Sequence, residues 1–415
     1  MEDTIERPTW LTNDFLEKTL RTREGFEESG VVKSIVHSAV GKGENNTSIL
    51  YRVEIKCKVD TKDDTTEDTR LIVKTLSNSA IQIKFLTEFK TFEKEFIITK
   101  KIIPSMIRIF ESKIPDEKIN PLSAYCFKSS IPFSLILEDL TTLDFQMADR
   151  HSRLDLKHSI LALKGLAKFH ALSVALNEQD PSILEDFKTE VMFVEKNREV
   201  MKTCTQRMLD AIANTVEKWK GYEKYGANLR AVVPVLIDRL MVEVIPKENS
   251  LNVLTHGDCW VNNMMFHYSP VSGAVDDVRF IDFQLSRYSS PALDLQYFLY
   301  TSPQESIRSQ KTDYLIEVYH EELCNILRKV GQEDKLISLE DLKREFDEKA
   351  FFGFNTACTV LAVVLADPSE AFDMENMKED GTGLDVKTVE KTYSGNRFKE
   401  VFQELLPHFE SKGVI

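Results

Sequence analysis

Residues 256–266, HGDCWVNNMMF, and residues 278–284, VRFIDFQ, are the part of the sequence from which both a fold and a chemistry can be inferred. The pattern H-x-D-x4-N, followed by an aspartate at the end of a strand-like run, is formed by His256, Asp258, Asn263 and Asp282. Phosphoryl transfer requires a carboxylate that accepts the proton of an acceptor hydroxyl, and oxygen ligands that hold Mg²⁺ beside the phosphates. The two stretches contain these residue types, although the same residues could also only brace turns.

Upstream of these stretches, weaker features follow one another in an order that strengthens the inference. A Gly/Asn-rich turn at residues 41–48, GKGENNTS, separates two strand-like runs, and its glycines allow backbone N–H groups to approach a phosphate. Lys74 lies in an apolar strand-like run, Glu95 lies on the helix that follows, and the buried run LILEDL ends at residues 138–140. Each feature alone is more typical of a turn, an edge residue or a strand end, but their order favours a nucleotide site.

The hydrophobic pattern divides the chain into a β-rich part and a helical part. The first third alternates in the manner of strands and contains one helix, residues 84–103, which Pro104 is expected to end. Long helical periodicities follow, interrupted near residues 253–285 by a strand-like insert. We therefore predict an α+β fold with two lobes, in which residues 1–140 form the smaller lobe and residues 141–415 form the larger, mainly helical lobe.

Composition and charge restrict the class of protein. The 415 residues are 42% hydrophobic and 29% charged, which is ordinary for a globular chain. With 53 basic and 67 acidic residues the net charge is −14, which disfavours broad binding to nucleic acid or to anionic membranes. The acidic N-terminus does not resemble a secretory signal, and six scattered cysteines suit reduced thiols better than a zinc site. We expect a cytoplasmic protein with no nucleic-acid, membrane or obligate protein partner.

The order and the details of these motifs resemble the ecdysteroid kinase-like family, also described as CHK kinase-like. This family lies within the kinase-like phosphotransferases, which include choline and aminoglycoside kinases. Four stretches carry the resemblance, namely GENNTSILYRV, FEKEFIITKKIIP, HGDCWVNNMMF and IDFQLSRYSSPALDLQYFL. The resemblance implies a two-lobed, protein-kinase-like fold that binds ATP and Mg²⁺ between its lobes.

By position, the resemblance also implies a role for each residue of the motifs. Asp258 would be the catalytic base, and His256 would organise the catalytic loop around it. Asn263 and Asp282 would bind the metal, and Asp294 would brace the loop from the following helix. The residues expected to bind the nucleotide are Gly41, Gly43, Asn45, Ser48, Lys74, Glu95, Glu138 and Leu140.

The activity that the resemblance implies is ATP-dependent phosphorylation of a hydroxyl on a small molecule. Within the nucleotide site, Lys74 and Glu95 would form the pair that positions the α- and β-phosphates. The leading acceptor is an ecdysteroid or a similar steroid alcohol. Three alternatives stay open: a choline- or aminoglycoside-type kinase with a cationic acceptor, a kinase of xenobiotic alcohols, and a catalytically silent protein that binds a small molecule. The absence of an APE-like segment after DFQ argues against a protein kinase.

Overall fold

The N-terminal part of the molecule is built on an antiparallel sheet. The computed structural model describes residues 7–39, 48–58, 65–76, 83, 87–367 and 386–415. Within these residues the strands of the sheet, in the spatial order β1-β2-β3-β5-β4, are β1 (Gly30–Ser38), β2 (Ser48–Lys58), β3 (Glu67–Leu76), β4 (Cys126–Phe127) and β5 (Ser134–Glu138). Lys74 of β3 lies opposite Leu50 of β2 on one side and Leu135 of β5 on the other.

One face of this sheet packs into an apolar cluster, as the period-two pattern of its strands requires. Helix α1 (Asn13–Leu20) covers part of that cluster. The helix begins after Thr12, whose side-chain oxygen accepts a hydrogen bond from the Phe15 N–H (3.1 Å). The buried residues along β2 are Tyr51, Val53, Ile55 and Cys57.

The helix predicted between β3 and β4 continues further than the sequence suggests. Helix α2 (Thr91–Ile97) passes through a π-helical turn (Ile98–Ile102) into α3 (Ile103–Lys113), so the prediction that Pro104 ends the helix is wrong. Inside an α-helix, proline lacks a donor N–H, and its ring clashes with the carbonyl four residues earlier. The wider π-helical turn directly before Pro104 relieves this conflict, because its hydrogen bonds reach back five residues.

The C-terminal part is mainly helical. Its helices are α4 (Leu156–Gln179), α5 (Glu185–Lys188), α6 (Arg198–Val216), α7 (Lys224–Glu243), α8 (Ala292–Thr301), α9 (Glu305–Lys329), α10 (Leu339–Glu348), α11 (Ala350–Thr356), α12 (Ala362–Leu365), α13 (Val386–Tyr393) and α14 (Asn396–Ser411). By length and apolarity alone, α4 could span a membrane. The same is true of the bent pair Leu339–Glu348 and Ala350–Leu365 if the two helices are taken as one span. Most of α4 is buried against α3, α9 and the rest of the protein, which is typical of a core helix in a globular domain.

Short strands interrupt the helices where the decisive motif lies. They are β6 (Phe145–Met147), β7 (Val253–Leu254), β8 (Met264–Tyr268), β9 (Val275–Phe280) and β10 (Tyr288–Ser289). The strands β6, β8 and β9 form one antiparallel sheet, and β7 pairs with β10. Residues 256–263 therefore lie between β7 and β8, and residues 281–287 lie between β9 and β10. These two loops carry the motif residues.

The predicted α+β architecture, with a sheet-rich N-terminal part and a mostly helical C-terminal part, is confirmed. The boundary at residue 140 coincides with the 3₁₀ turn Leu140–Leu143 that follows β5, and we retain it as a proposal. One element belongs to the larger core although it precedes this boundary: Met106 and Phe110 of α3 are buried in the same apolar cluster as Leu166 of α4. Helix α3 therefore ties the Glu95-bearing segment to the helical part.

Candidate active site

The β8–β9 hairpin brings Asn263 close to Asp282. Asn263 immediately precedes β8, Asp282 follows β9, and Met264 pairs with Phe280 at the open end of the hairpin. The Ile281 N–H donates a hydrogen bond to Asn263 O (3.0 Å), which extends the pairing by one step. Asp282 then turns away with φ of 66°, a left-handed conformation that aspartate tolerates better than most side chains. The hairpin register therefore makes neighbours of two oxygen-bearing side chains that are distant in sequence.

The loop between β7 and β8 is held by one buried carboxylate, that of Asp294 in the first turn of α8. Asp294 Oδ2 accepts a hydrogen bond from the His256 N–H (2.6 Å), and Oδ1 accepts one from the Gly257 N–H (2.9 Å). His170 of α4 bonds to the same carboxylate through Nε2 (3.0 Å). Burial raises the pKa of Asp294, but the hydrogen bond and charge of His170 outweigh burial and hold this pKa below its ordinary value. These are the contacts of a residue that braces the loop.

Gly257 allows this loop to lie directly against the segment that follows β9. Its backbone φ is 82°, a value that residues other than glycine rarely adopt. A Cβ atom at this position would lie 2.1 Å from the Leu285 carbonyl oxygen, which is far inside van der Waals contact. The close approach of the two motif loops therefore requires glycine here.

His256 links the two motif loops through its imidazole ring. Its Nε2 lies 3.1 Å from Ile281 O, and its Nδ1 accepts a hydrogen bond from the Asp258 N–H (3.3 Å). The side chain is fully buried, and burial lowers its pKa. A neutral ring that uses both nitrogens in this way organises the loop and is poorly suited to transfer a proton.

Asp258 presents a carboxylate that is held on both oxygens. Its Oδ1 accepts a hydrogen bond from the hydroxyl of Tyr297, and its Oδ2 accepts one from Asn263 Nδ2 (2.8 Å). Burial raises the pKa of Asp258 to about 7, and the negative charge of nearby Asp282 acts in the same direction. A general base works best when its pKa is near the working pH, so this carboxylate has the properties of a proton acceptor.

Lys74 joins the sheet to the second motif loop. Its Nζ lies 2.7 Å from Glu95 Oε2 and 2.8 Å from Asp282 Oδ1, and both Lys74 and Glu95 are buried. Burial disfavours the charged form of each group and raises the pKa of Glu95. Two carboxylates around one ammonium group outweigh burial at Lys74 and raise its pKa, so the lysine stays protonated.

The oxygen atoms of Asn263 and Asp282 suit a hard divalent cation. Asn263 uses its Nδ2 on Asp258, with contacts of 2.9 Å to the backbone oxygen and 2.8 Å to Oδ2, and this orientation leaves its amide oxygen for a ligand. Asp282 uses Oδ1 on Lys74 and retains Oδ2. Mg²⁺ is usually held by one or two protein oxygens together with water and substrate phosphates. The donor set therefore fits Mg²⁺.

The other residues predicted to bind nucleotide are placed as follows. Gly41, Gly43 and Asn45 lie outside the described residues, and Ser48 is the first residue of β2. Glu138 ends β5; its N–H donates to Tyr125 O (2.9 Å), and its carboxylate contacts Arg23 (3.1 Å). The carbonyl of Leu140 accepts from the Asp144 N–H. The Glu138 N–H and the Leu140 carbonyl are thus engaged within the protein.

Sequence reasoning missed Tyr297. The residue lies in the apolar run ALDLQYFLYT of α8, which resembles the core face of a buried helix. A signal for it exists, because Tyr297 follows Asp294 by one helical turn and must share a face with it. His170 is a buried histidine whose two ring nitrogens contact Tyr319 (2.7 Å) and Asp294 (3.0 Å).

Comparison with known proteins gives one similar curated sequence. The 4-hydroxytryptamine kinase of Psilocybe cyanescens is 25% identical over 172 residues, which are 40% of this chain. The match spans 42% of the length of that kinase. Solved structures with similar chain paths include the choline kinase of Cryptosporidium parvum Iowa II (12% identity, TM-score 0.48, 98% of each chain covered). A putative aminoglycoside phosphotransferase of Ralstonia eutropha JMP134 has 14% identity and a TM-score of 0.42, covering 94% of this chain and 98% of its own.

The sequence model of one protein family matches most of the chain. The match extends over residues 42–332 and includes both motif loops, Lys74 and Glu95. The family is described as ecdysteroid kinase-like, which agrees with the motifs of the sequence. The chain therefore belongs to the ecdysteroid kinase-like family.

Proposed function

We propose that the protein is an ATP-dependent phosphotransferase that uses Mg²⁺ to phosphorylate a hydroxyl of a small molecule. The observation that supports this most directly is the convergence of a candidate base, two candidate metal ligands and a buried ammonium group from three separate segments: the loop before β8, the loop after β9, and β3. Asn263 bonds to Asp258 on one side, and Asp282 bonds to Lys74 on the other. The Asp258 carboxylate is held on both oxygens, by the Tyr297 hydroxyl and by Asn263 Nδ2, which favours a catalytic role over simple binding.

In the proposed reaction, Asp258 accepts the proton of the acceptor hydroxyl while the hydroxyl oxygen attacks the γ-phosphorus of ATP. The bond from the γ-phosphorus to the bridging oxygen breaks, and ADP leaves with that oxygen. Lys74, held by Glu95, would bind oxygens of the α- and β-phosphates as a point charge. Mg²⁺, when bound by Asn263 and Asp282, would neutralise part of the negative charge on the phosphates.

The adenine ring is proposed to bind at the hinge after β5. The Glu138 N–H and the Leu140 carbonyl are engaged with Tyr125 and Asp144. The Glu138 carbonyl and the Leu140 N–H are the pair that we propose for the adenine edge. The glycine-rich residues Gly41, Gly43, Asn45 and Ser48 would cover the phosphates.

For the acceptor, we propose an ecdysteroid or a similar steroid alcohol, supported by membership of the ecdysteroid kinase-like family. A second candidate is an aromatic alcohol, because the matching curated relative is named for 4-hydroxytryptamine. Xenobiotic alcohols and cationic acceptors of the choline or aminoglycoside type are the remaining candidates. Phosphorylation would add charge to any of these molecules and would hinder its passage through membranes.

We also propose that the protein acts in the cytoplasm without an obligate protein partner. None of the six cysteines forms a disulfide, and five of them are buried. Free cysteines are typical of a reducing compartment, since secreted proteins of this kind usually pair them. The net charge of −14 further supports a protein that does not bind nucleic acid or anionic membranes.

The experiment that tests the proposal combines an acceptor panel with one substitution. Purified protein, Mg²⁺ and ATP labelled on the γ-phosphate are incubated with steroid, indole, amino-alcohol and plant-toxin acceptors, and labelled products are separated. We expect label in one class, and we expect Asp258→Asn to lower kcat by about 10²- to 10⁴-fold while ATP still binds. Asp313→Asn, on the exposed side of α9, is the matched control. Equal turnover by the Asp258→Asn variant would refute the assigned base, and labelling of protein substrates alone would refute the small-molecule acceptor.

A further inference from the structure

Tyr297 makes a contact with the candidate base that the family motifs do not explain. Its hydroxyl donates a hydrogen bond to Asp258 Oδ1, and the tyrosine is only 5% exposed. On the opposite oxygen, Asn263 Nδ2 donates to Oδ2 at 2.8 Å. A carboxylate oxygen accepts two hydrogen bonds, so with the donors found among the described residues each oxygen of Asp258 has one donor in place and one acceptor site left.

The position of Tyr297 is set by the same helix that braces the catalytic loop. Asp294 and Tyr297 are three residues apart on α8 and therefore lie on one face. Asp294 accepts hydrogen bonds from two backbone N–H groups of the loop, and Tyr297 donates one to the side chain that this loop presents. One turn of α8 thus contacts both the backbone and the carboxylate of the loop.

We propose that Tyr297 is a positioning residue that holds the Asp258 carboxylate in the orientation needed to receive the proton of the acceptor. This inference rests on the proposed phosphotransferase function. Two donors, one on each oxygen, restrain rotation of the carboxylate about its bond to Cβ. Rate enhancement by a general base depends strongly on such orientation, because misplaced reacting groups lose much of the advantage of proximity. In this role Tyr297 acts through Asp258.

The alternative is that Tyr297 only fills the core. Its ring does lie near Phe352 of α11, with ring centres 6.4 Å apart, and Phe352 is itself buried. Phenylalanine would preserve that packing and remove only the hydroxyl. The substitution Tyr297→Phe therefore separates the two roles, since a packing role alone predicts no loss of turnover.

Tyr300 provides a matched control on the same helix. It is also a buried tyrosine, and its hydroxyl bonds to His408 Nε2 (2.6 Å). Tyr300→Phe removes a comparable buried hydrogen bond, but one that does not involve the catalytic loop. Both variants and the wild type are assayed for kcat, for KM of ATP and of the acceptor, and for thermal stability.

We expect Tyr297→Phe to lower kcat by about 10- to 100-fold, the effect of losing one hydrogen bond to a charged group, with KM for ATP unchanged. Tyr300→Phe is expected to keep the wild-type kcat. A wild-type kcat in Tyr297→Phe, or an equal fall in both variants, overturns the inference. If the wild type phosphorylates no acceptor, the proposed function fails separately. A crystal structure of the Tyr297→Phe variant then decides whether Tyr297 orients the Asp258 carboxylate. A reoriented Asp258 carboxylate supports the positioning role, and an unchanged carboxylate overturns it.

Discussion

Lys74 of β3 and Asp282 after β9 form an ion pair that joins the N-terminal sheet to the helical part, with 2.8 Å between Nζ and Oδ1. The same ammonium lies 2.7 Å from Glu95 Oε2 on α2. Lys74 is therefore held between two carboxylates that come from different parts of the fold. The position of a candidate metal ligand is thereby coupled to the position of the group proposed to bind phosphate.

The first prediction concerns the buried pair of Lys74 and Glu95. Lys74→Met keeps the apolar stem but leaves the Glu95 carboxylate buried without its cation, and we expect a loss of about 3–5 kcal/mol in the free energy of unfolding. Lys74→Met/Glu95→Gln removes the unpaired charge and should recover part of this loss. Both variants should bind ATP more weakly. Chemical denaturation and calorimetric titration measure the two effects.

The control for this pair is Lys90→Met. Lys90 precedes α2, and its ammonium is exposed and 3.8 Å from Asp186. Exposed ion pairs contribute about 0–1 kcal/mol, so this variant should unfold like the wild type. A Lys74→Met variant as stable as the wild type would contradict the view that the buried pair is ionised.

The second prediction concerns the metal. Asp282→Asn should raise the Mg²⁺ concentration needed for half-maximal activity by about 10- to 100-fold, because a neutral amide replaces a charged oxygen ligand. Binding of Mn²⁺ in the presence of ADP, followed by magnetic resonance, gives a measure that does not depend on turnover. Asp277→Asn is the matched control. Asp277 lies on the same hairpin, its carboxylate accepts a hydrogen bond from Asn120 (3.0 Å), and its substitution should leave the Mg²⁺ requirement unchanged. An unaltered Mg²⁺ requirement in Asp282→Asn would remove this residue from the metal site.

The parts of the site that could be predicted are those determined by local patterns. The sequence predicts a strand-like insert near residues 253–285, and the structure forms it as the β8–β9 hairpin, whose register brings Asn263 close to Asp282. The order of Lys74 on a strand and Glu95 on the next helix suggested a pair, and the structure brings these side chains to 2.7 Å. In each case the signal lay in residue type together with the element that carries it.

The parts that could not be predicted depend on tertiary contacts. Tyr297 lies in an apolar helix, where an aromatic residue normally fills the core, and only the packing of α8 against the catalytic loop gives its hydroxyl a partner. Pro104 is a local helix breaker, but the packing of α3 against α4 favours a continued helix through a π-helical turn. Local preferences of this size are routinely overridden by burial of an apolar face.

The third prediction concerns the close approach of the motif loops at Gly257. Gly257→Ala places a Cβ atom 2.1 Å from Leu285 O at a φ of 82°, so both overlap and backbone strain result. We expect a loss of about 2–5 kcal/mol in the free energy of unfolding, together with loss of turnover. Gly331→Ala is the matched control, because Gly331 has φ of 76° but open space around its Cβ position. It should cost only about 1–2 kcal/mol and leave kcat unchanged; equal effects of the two substitutions would contradict the prediction.

The fourth prediction concerns the pH dependence of stability through His408 of α14. Burial lowers the pKa of His408 to about 4, and the positive charges of Arg308 and Lys412 act in the same direction. In the unfolded chain the pKa is about 6.5, so the unfolded state binds a proton at a higher pH than the folded state. The neutral ring therefore stabilises the fold fully above pH 6.5. This contribution is lost as the pH falls from about 6.5 to about 4.

His408→Gln should abolish this part of the pH dependence. Glutamine does not titrate, so the difference in free energy of unfolding between wild type and variant should change by about 1–2 kcal/mol between pH 7 and pH 4, since solvent screens part of the effect at a ring that is not fully buried. The stability of the wild type relative to the variant should fall as the pH approaches 4, because only the wild type has a histidine at this position that takes up a proton on unfolding. Urea denaturation at a series of pH values gives this difference directly, and titrations shared by both proteins cancel. A difference in free energy that stays constant over this range would contradict the prediction, because it would mean that His408 has the same pKa in the folded and unfolded chains. The hydrogen bond of His408 with the Tyr300 hydroxyl (2.6 Å) and its cationic neighbours Arg308 and Lys412 favour different pKa values in the two states.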